Sequence, residues 1–179
     1  LTLVVSIPLG VLSAVRKDGW CDSLAGGLSF LGNAMPNFFV AILLIYLLAV
    51  KLKWFPAVSV GTSPSVVLPA VTLAIAMSAK YTRQIRGVVL AELRKGYVMG
   101  ARARGVSEGT ILCKSVIPMA SPAIVTLLAI SIGSLLSGTA VVETIFLWDG
   151  VGKLAVDAIM QRDYPIIQAY VVWMAGIYI

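Results

Sequence analysis

Long apolar runs separated by short polar segments set the pattern of this sequence. The runs cover residues 1–15, 23–50, 66–79, 116–142 and 166–179. They are apolar on all faces, whereas the strands of a transmembrane barrel alternate apolar and polar positions. A helix needs about 20 predominantly apolar residues to cross the hydrocarbon core. The pattern therefore predicts an all-α, polytopic bundle of transmembrane helices, with polar connections between them.

The chain begins inside one apolar run and stops inside another. Its first run, about 15 residues, is shorter than the roughly 20 that a span needs, so we interpret it as the end of a helix. No initiator Met or signal peptide is visible at the start. We therefore expect residues 1–179 to be a fragment of a single transmembrane domain, which lacks the start of this helix and the end of its last one.

Composition supports a membrane protein and removes several kinds of chemistry. Hydrophobic residues make up 59% of the chain and charged residues 12%, against about 45–50% and about 25% in soluble domains. The absence of histidine removes the usual general base and the commonest metal ligand. The cysteines, Cys21 and Cys113, lie too far apart in sequence to suggest a disulfide framework. We expect neither a catalytic nor a metal site.

Basic residues predict the orientation in the membrane. Most of the 14 Lys and Arg residues lie in one segment, opposed there by the acids Glu92 and Glu108. These basic residues are Lys80, Arg83, Arg86, Arg94, Lys95, Arg102, Arg104 and Lys114. The positive-inside rule places this segment in the cytoplasm, with residues 16–22, and places residues 51–65 and 143–165 outside. The net charge of +6 then reflects topology, and nucleic-acid binding is not expected.

The cytoplasmic segment carries its own helical pattern. Its spacing of apolar residues predicts short amphipathic helices beneath the membrane, with breaks near Gly96 and Gly105. Ser107 stands where it could cap a helix that begins at Glu108. The residues alone leave two interpretations open. The segment is either a solvated basic loop that touches anionic lipid, or a rigid element that docks into a groove of a soluble partner.

The chain shows no ATP site of its own. Gly152 and Lys153 are followed by Leu154, so the hydroxyl residue and the first glycine of a phosphate loop are missing. Energy for transport must therefore come from a partner or from a gradient. The three central runs, 23–50, 66–79 and 116–142, lack ionisable residues, which disfavours a proton or sodium relay. A channel or gradient-driven carrier remains the alternative hypothesis.

Polar residues within the spans are candidates for a transport pathway. Pro36 lies in mid-span between Asn33 and Asn37, and is expected to kink the helix. The kink either lines a pathway or packs against a neighbouring helix, and both interpretations stay open. Ser131 and Ser134 share a small-residue face, for which ordinary helix packing is favoured over pore lining.

The polar stretch "YVMGARARGVSEGTILCKSVIP" resembles the cytoplasmic coupling motif of ABC-importer permeases. Anchored on Gly105, the motif's EAA positions fall on residues 99–101 and its final proline on Pro118. Met99 replaces the acid of the motif and Ser115 its isoleucine. Further stretches in the same order are similar to the dipeptide, oligopeptide and nickel permease family: "SIPLG", "MPNFF", "KWFPA", "GTAVVETIFLWDGVGKL" and "RDYPIIQ". That family usually has W-P-G where this chain has Trp148, Asp149 and Gly150.

This resemblance implies a type I permease fold in the bacterial inner membrane, together with a set of partners. The partners are a second homologous permease, an extracytoplasmic substrate-binding protein, membrane lipid and two cytoplasmic ATPase subunits, which bind the ATP and Mg²⁺. No cofactor is expected on this chain. Full members of the family have a preceding N-terminal helix and an outer domain, and the resemblance implies that both are missing from this fragment. The cargo is a nickel complex or a di- or oligopeptide, and the sequence does not separate these.

The resemblance also assigns roles to particular residues. A coupling helix around residues 101–108 would sit in a cleft on one ATPase, and ATP-driven closure would swing the spans. The residues expected to dock are Tyr97, Gly100, Ala101, Arg102, Ala103, Arg104, Gly105, Ser107, Glu108 and Pro118. Those expected near the outer gate and the binding protein are Glu143, Trp148, Arg162 and Asp163.

Overall fold

The computed structural model describes residues 1–58 and 63–178. Side chains are described for these except Cys21, Ser63, Pro64, Ile132, Ser134, Leu136, Ser137, Gly138 and Tyr178. Every regular element in the described ranges is helical, which confirms the all-α prediction. Long apolar stretches form these helices because a helix satisfies every backbone hydrogen bond within its own segment.

The helices follow one another with short connections. They are α1 Thr2–Val15, α2 Trp20–Ala34, α3 Asn37–Leu44, α4 Val67–Leu93, α5 Gly96–Ala103, α6 Glu108–Ile111, α7 Ile117–Phe146, α8 Val151–Gln161 and α9 Tyr164–Tyr178. A π-helical stretch, Ile45–Lys51, continues α3, and another, Leu112–Val116, joins α6 to α7. A 3₁₀ turn, Ser63–Val66, leads into α4.

The chain divides into two compact units. The first comprises Leu1–Ala34 and Ile75–Ala129, and the second comprises Met35–Ala74 and Ile130–Ile179, so α4 and α7 contribute to both. The core of the first unit is formed by Ala14, Tyr81, Ile85, Val89, Val98, Ala101, Ile111, Val116 and Ala120. The core of the second unit is formed by Ala41, Leu68, Val142 and Phe146. The single transmembrane domain stays a prediction.

The predicted span over residues 23–50 is interrupted rather than kinked. Helix α2 ends at Ala34 and α3 begins at Asn37. Pro36 adopts an extended conformation, with φ −62° and ψ 145°. Proline has no N–H to donate, and it disfavours the helical conformation of the residue before it. The helix therefore stops at this point and restarts, which corrects the expectation of a continuous kinked helix.

Few of the described helices are long and apolar enough to cross a membrane. By length and composition Glu108–Ser131 qualifies, and the interrupted pair Asp22–Ala34 and Asn37–Lys51 would form a second span if taken together. Thr2–Val15 and Tyr164–Ile177 are shorter apolar helices. The multi-pass arrangement therefore stays a prediction.

Helix α4 is longer than its apolar run and continues to Leu93. The stretch from Gly87 to Leu93, which belongs to the predicted cytoplasmic segment, is the end of α4, and the predicted break near Gly96 follows it. No glycine or proline interrupts α4 between Gly87 and Leu93, so nothing in the local sequence ends the helix there.

Candidate functional site

Helix α5 is held against the body of the first unit. Val98 is fully buried and Ala101 nearly so, and both belong to the core that includes Val89 of α4 and Ile111 of α6. Leu93 packs on the same core. Because a packed helix face cannot shift without opening the core, α5 is braced by the helices around it. The segment is therefore not a wholly solvated loop, and its docking to a partner stays a prediction.

The opposite face of α5 is exposed. Met99 is 65% exposed and Tyr97 is 36% exposed, and the neighbouring cations Arg102 and Arg104 are also exposed. Of the predicted docking residues, Ala103, Gly105, Ser107, Glu108 and Pro118 are exposed as well, Gly100 is half-buried and Ala101 is buried. Ala101 therefore packs inward, whereas most of the predicted set is exposed.

A glycine turn ends α5. Gly105 has φ +75°, a left-handed conformation that glycine adopts at little cost. Its N–H donates to the carbonyl of Arg102 at 2.9 Å, and the N–H of Val106 donates to that of Ala101 at 3.2 Å. These are the two hydrogen bonds of a Schellman motif. The turn ends α5 at Ala103 and a new helix begins at Glu108, which confirms the predicted break near Gly105. The region around residues 101–108, where the coupling helix was expected, therefore contains the end of α5, this turn and the start of α6.

An ion pair spans the turn. Arg102 donates through Nε to Oε1 of Glu108 at 2.6 Å, and through Nη2 to Oε2 at 3.0 Å. The carboxylate of Glu108 raises the pKa of Arg102. Both side chains are about half exposed or more, so solvent screens the pair and it contributes little to stability. Its bidentate geometry orients α5 and α6 at the turn.

Ser107 occupies the N-cap position of α6, as predicted. Its hydroxyl does not accept from a backbone N–H but lies 2.8 Å from the hydroxyl of Thr110. The position was readable from sequence because serine is favoured at N-caps. The hydrogen-bond partner of Ser107 was not readable from sequence, because the hydroxyl of Thr110 competes with the backbone N–H groups for it.

A second anchor lies at the start of α5, on a residue that the sequence did not single out. Oε1 of Glu92 accepts from Nζ of Lys95 at 2.6 Å, and Oε2 accepts from the hydroxyl of Tyr97 at 3.1 Å. The Lys95 ammonium holds the pKa of Glu92 below its usual range, against the opposing effect of burial. Burial in turn raises the pKa of Tyr97. The available signal was the Glu-x-x-Lys spacing, which brings two helical side chains together.

A buried ion pair ties α2 to α4. Asp22 accepts from Nε and Nη2 of Arg86 at 2.7 and 2.6 Å. It also accepts from the hydroxyl of Ser13 on α1 and from the backbone N–H of Asp18. The pair joins residues 64 positions apart. The sequence showed these residues only as loop charges, since no local pattern indicates which distant partner each takes.

In the second unit, Glu143 of α7 caps the start of α8. Its Oε2 accepts from the backbone N–H of Lys153 at 2.8 Å, one of the N–H groups that a helix start leaves unpaired. A Cβ at Gly150 would overlap the Glu143 carboxylate, and a Cβ at Gly152 would lie 2.7 Å from Cα of Ala140. The stretch "ETIFLWDGVGK" is therefore a tight helix-to-helix connection.

The other predicted outer residues lie at the ends of α8. Trp148 is half-buried in the turn before it. Arg162 is exposed and has φ +57° at the end of α8, and Oδ1 of Asp163 accepts from the N–H of Ile166 at 3.3 Å. Glu143 and Asp163 thus hold helix ends, and contact with a binding protein stays a prediction.

The candidate pathway residues fall in different parts of the fold. Asn33 belongs to the first unit, whereas Pro36, Asn37 and Ser131 belong to the second. Asn33 and Pro36 are exposed, Asn37 is half-buried and Ser131 is buried. The side chain of Ser134 lies outside the described residues. Their role in a pathway stays a prediction.

Comparison with known proteins decides the family. The family described as "Binding-protein-dependent transport system inner membrane component" matches residues 6–179. The chain belongs to this family. This match confirms the family resemblance that the coupling motif indicated.

Curated relatives of this inner membrane component carry similar names. It is 41% identical to the "Oligopeptide transport system permease protein AppB" of Bacillus subtilis, over 96% of this chain and 58% of that protein. It is 36% identical to the "Glutathione transport system permease protein GsiC" of Pectobacterium atrosepticum, over 94% of this chain and 55% of that protein. The chain therefore spans somewhat more than half the length of these relatives.

Proposed function

We propose that this chain is the membrane-spanning part of a permease subunit of a bacterial ABC importer, located in the inner membrane as a multi-pass protein. The observation that carries the proposal is the similarity to an oligopeptide permease over 96% of the chain. The importer would contain a second homologous permease, two cytoplasmic ATPase subunits that hold ATP and Mg²⁺, and an extracytoplasmic binding protein.

The cargo proposed here is a short peptide. The names of the relatives refer to oligopeptides and to glutathione, and glutathione is itself a small peptide-like molecule. A nickel complex stays in the panel of cargoes to be tested, because the sequence resemblance extends to nickel permeases.

Coupling to the ATPases would run through α5 and the Gly105 turn. The exposed face around Tyr97, Met99 and Arg102 would bind in the ATPase cleft, while the buried face of Val98 and Ala101 transmits its displacement to α4 and α7 through the core. ATP binding can shift an inward–outward equilibrium only through contacts that differ between the two states. Because α5 is braced, it would move as one body with the helices on which it packs. A contact that the ATPase makes with α5 in only one state would therefore act on those helices.

The cargo is tested with the complete complex, including the binding protein, reconstituted in proteoliposomes. ATPase activity and uptake are measured with di- and oligopeptides, glutathione, nickel and nickel chelates. We expect stimulation by peptide or glutathione. Stimulation by nickel species alone would reassign the cargo, and uptake that follows an ion gradient without ATP would contradict the importer proposal.

The coupling role is tested at the turn. Gly105→Ala forces a side chain into φ +75°, at a cost of roughly 1–2 kcal/mol, and Gly105→Pro is incompatible with that φ. Gly109→Ala is the matched control, because Gly109 has open space around it and no positive φ. We expect Gly105→Ala to lower uptake per ATP hydrolysed and Gly105→Pro to lower it further. Gly109→Ala should leave it unchanged. Normal uptake by Gly105→Pro would rule out the docking role.

A further inference from the structure

A polar cavity lies in the first unit beside α4. It has a volume of about 350 Å³ and is lined by Asn33 of α2 and by Lys80, Arg83 and Gln84 of α4. Small-molecule sites occupy roughly 300–1,000 Å³, so the cavity can hold the end of a small ligand. Two cations and two amides line it.

Two contacts between α2 and α4 show at which level along these helices the cavity lies. Near the start of α2, Asp22 pairs with Arg86, and further along a Cβ at Gly32 would lie 2.7 Å from Cβ of Ala79. Lys80 and Arg83 lie between these levels on α4. At 1.5 Å per residue, Asp22 and Gly32 are separated by about 15 Å along the helix.

That position is inside the span if α2 enters from the cytoplasm, as the positive-inside pattern predicts. Charged side chains within spans are costly, and they line water-filled cavities or mark the path of a substrate. Lys80 and Arg83, which the charge pattern alone assigned to the cytoplasm, are then candidates for contact with the cargo.

The chemistry of the lining indicates the class of ligand. In the part of the chain that the structure describes, no acidic side chain pairs with Lys80 or Arg83. The carbonyl oxygen of Gln84 is buried and has no hydrogen-bond partner among the described residues. A carboxylate pairs with the two cations, and an N–H donor beside it pairs with Gln84 once the side-chain amide, whose Oε1 is closed to solvent, turns toward the cavity. The last residue of a peptide has this combination, since its carboxylate follows its own amide N–H.

We propose that this cavity binds the carboxylate end of the transported peptide during its passage. The inference rests on the proposed peptide-import function. Lys80 and Arg83 hold the carboxylate as charge-assisted donors, and the carbonyl of Gln84 accepts the terminal amide N–H. Asn33 contributes the polar wall from α2.

The test uses the complete complex with its binding protein in proteoliposomes. Uptake of one peptide is measured with a free carboxylate and with a C-terminal amide, each relative to the unaltered complex. The variants are Lys80→Gln with Arg83→Gln, the charge-preserving pair Lys80→Arg with Arg83→Lys, and Lys17→Gln as a control. Lys17 is an exposed lysine whose contact with Asp18 is long, at 3.6 Å.

We expect the charge-removing pair to lower uptake of the free-acid peptide about tenfold or more, since charge-assisted hydrogen bonds are lost. ATPase activity stimulated by the unliganded binding protein should stay unchanged. The charge-preserving pair should restore most of the uptake, and Lys17→Gln should have no effect.

Three outcomes would overturn the proposal. The charge-removing pair could transport the free-acid peptide at the unaltered rate. The charge-removing pair could lower uptake of both peptides equally, and do so only in vesicles that contain anionic lipid. That result would assign the cavity to a lipid phosphate. Finally, the unaltered complex could take up no peptide at all, in which case the importer proposal itself fails and this inference with it.

Discussion

The buried pair of Asp22 and Arg86 leads to a prediction with a large effect. Asp22 is 10% exposed and Arg86 30% exposed as side chains. Besides Arg86, the carboxylate accepts from Ser13 and from the N–H of Asp18. The pair therefore holds α1, the loop that follows it, α2 and α4 together, and its loss should loosen all of them.

The magnitude follows from burial. Removing one partner of a buried ion pair costs about 3–5 kcal/mol, because the other charge stays uncompensated. Arg86 is nearly a third exposed and can regain some hydration, so we expect Asp22→Asn to cost about 2–3 kcal/mol. Arg86→Met should cost about as much. The double variant should cost less than the sum, with a coupling energy of about 1–3 kcal/mol.

Hydrogen exchange in the purified complex measures these energies. A cost of about 1.4 kcal/mol accelerates exchange about tenfold where local opening is in equilibrium. The amide of Asp18, which donates to Oδ2 of Asp22, reports directly on the pair. The control cycle, Lys153→Gln with Asp149→Asn, alters a solvent-exposed pair that belongs to the second unit and shares no hydrogen bond with Asp22 or Arg86, and its coupling should be much smaller than that of the buried pair.

Strict additivity of Asp22→Asn and Arg86→Met would refute this reasoning. Additivity would mean that the two side chains do not share their free energy. A coupling energy in the control cycle as large as that of Asp22 and Arg86 would refute it as well, because burial would then not be the source of the effect.

The remaining predictions concern helix ends and one titration. Glu143→Ala removes a helix cap worth about 1 kcal/mol, so amides of residues 151–155 should exchange about fivefold faster; unchanged exchange would argue against the cap. Gly152→Val would press on the backbone of Ala140 and should lower the unfolding temperature of the complex, whereas Gly109→Ala should not. Lys95 lowers the pKa of Glu92 from the ordinary 4.5. The protection of α5 amides against hydrogen exchange should therefore be complete above pH 4.5 and be lost as the pH falls through the lower pKa of the folded state. Loss of protection already at neutral pH would contradict this.

Much of the local structure was readable from the residues. The apolar runs predicted helices because burying a helix face and pairing its backbone both favour that periodicity. The break at Gly105 was predicted because glycine tolerates a positive φ, and Ser107 was placed correctly at a helix start. The coupling motif pointed to the family that the comparison with known proteins confirmed.

Other features depended on contacts that no local pattern encodes. The break at Pro36 was expected as a kink, because proline permits either and the surrounding packing selects between them. The pairing of Asp22 with Arg86, 64 residues away, and the cap that Glu143 provides for α8 required the helices to be placed side by side.

The sequence by itself therefore determined that the apolar runs are helical, that the chain turns at Gly105, and to which family it belongs. Each of these depends on backbone preferences, periodicity or short motifs within a few residues. Only the tertiary structure decided which charges are buried and paired, and which cations are left to line a cavity. Such differences arise because the energy of a charge depends on the groups packed around it, and those groups come from distant parts of the chain.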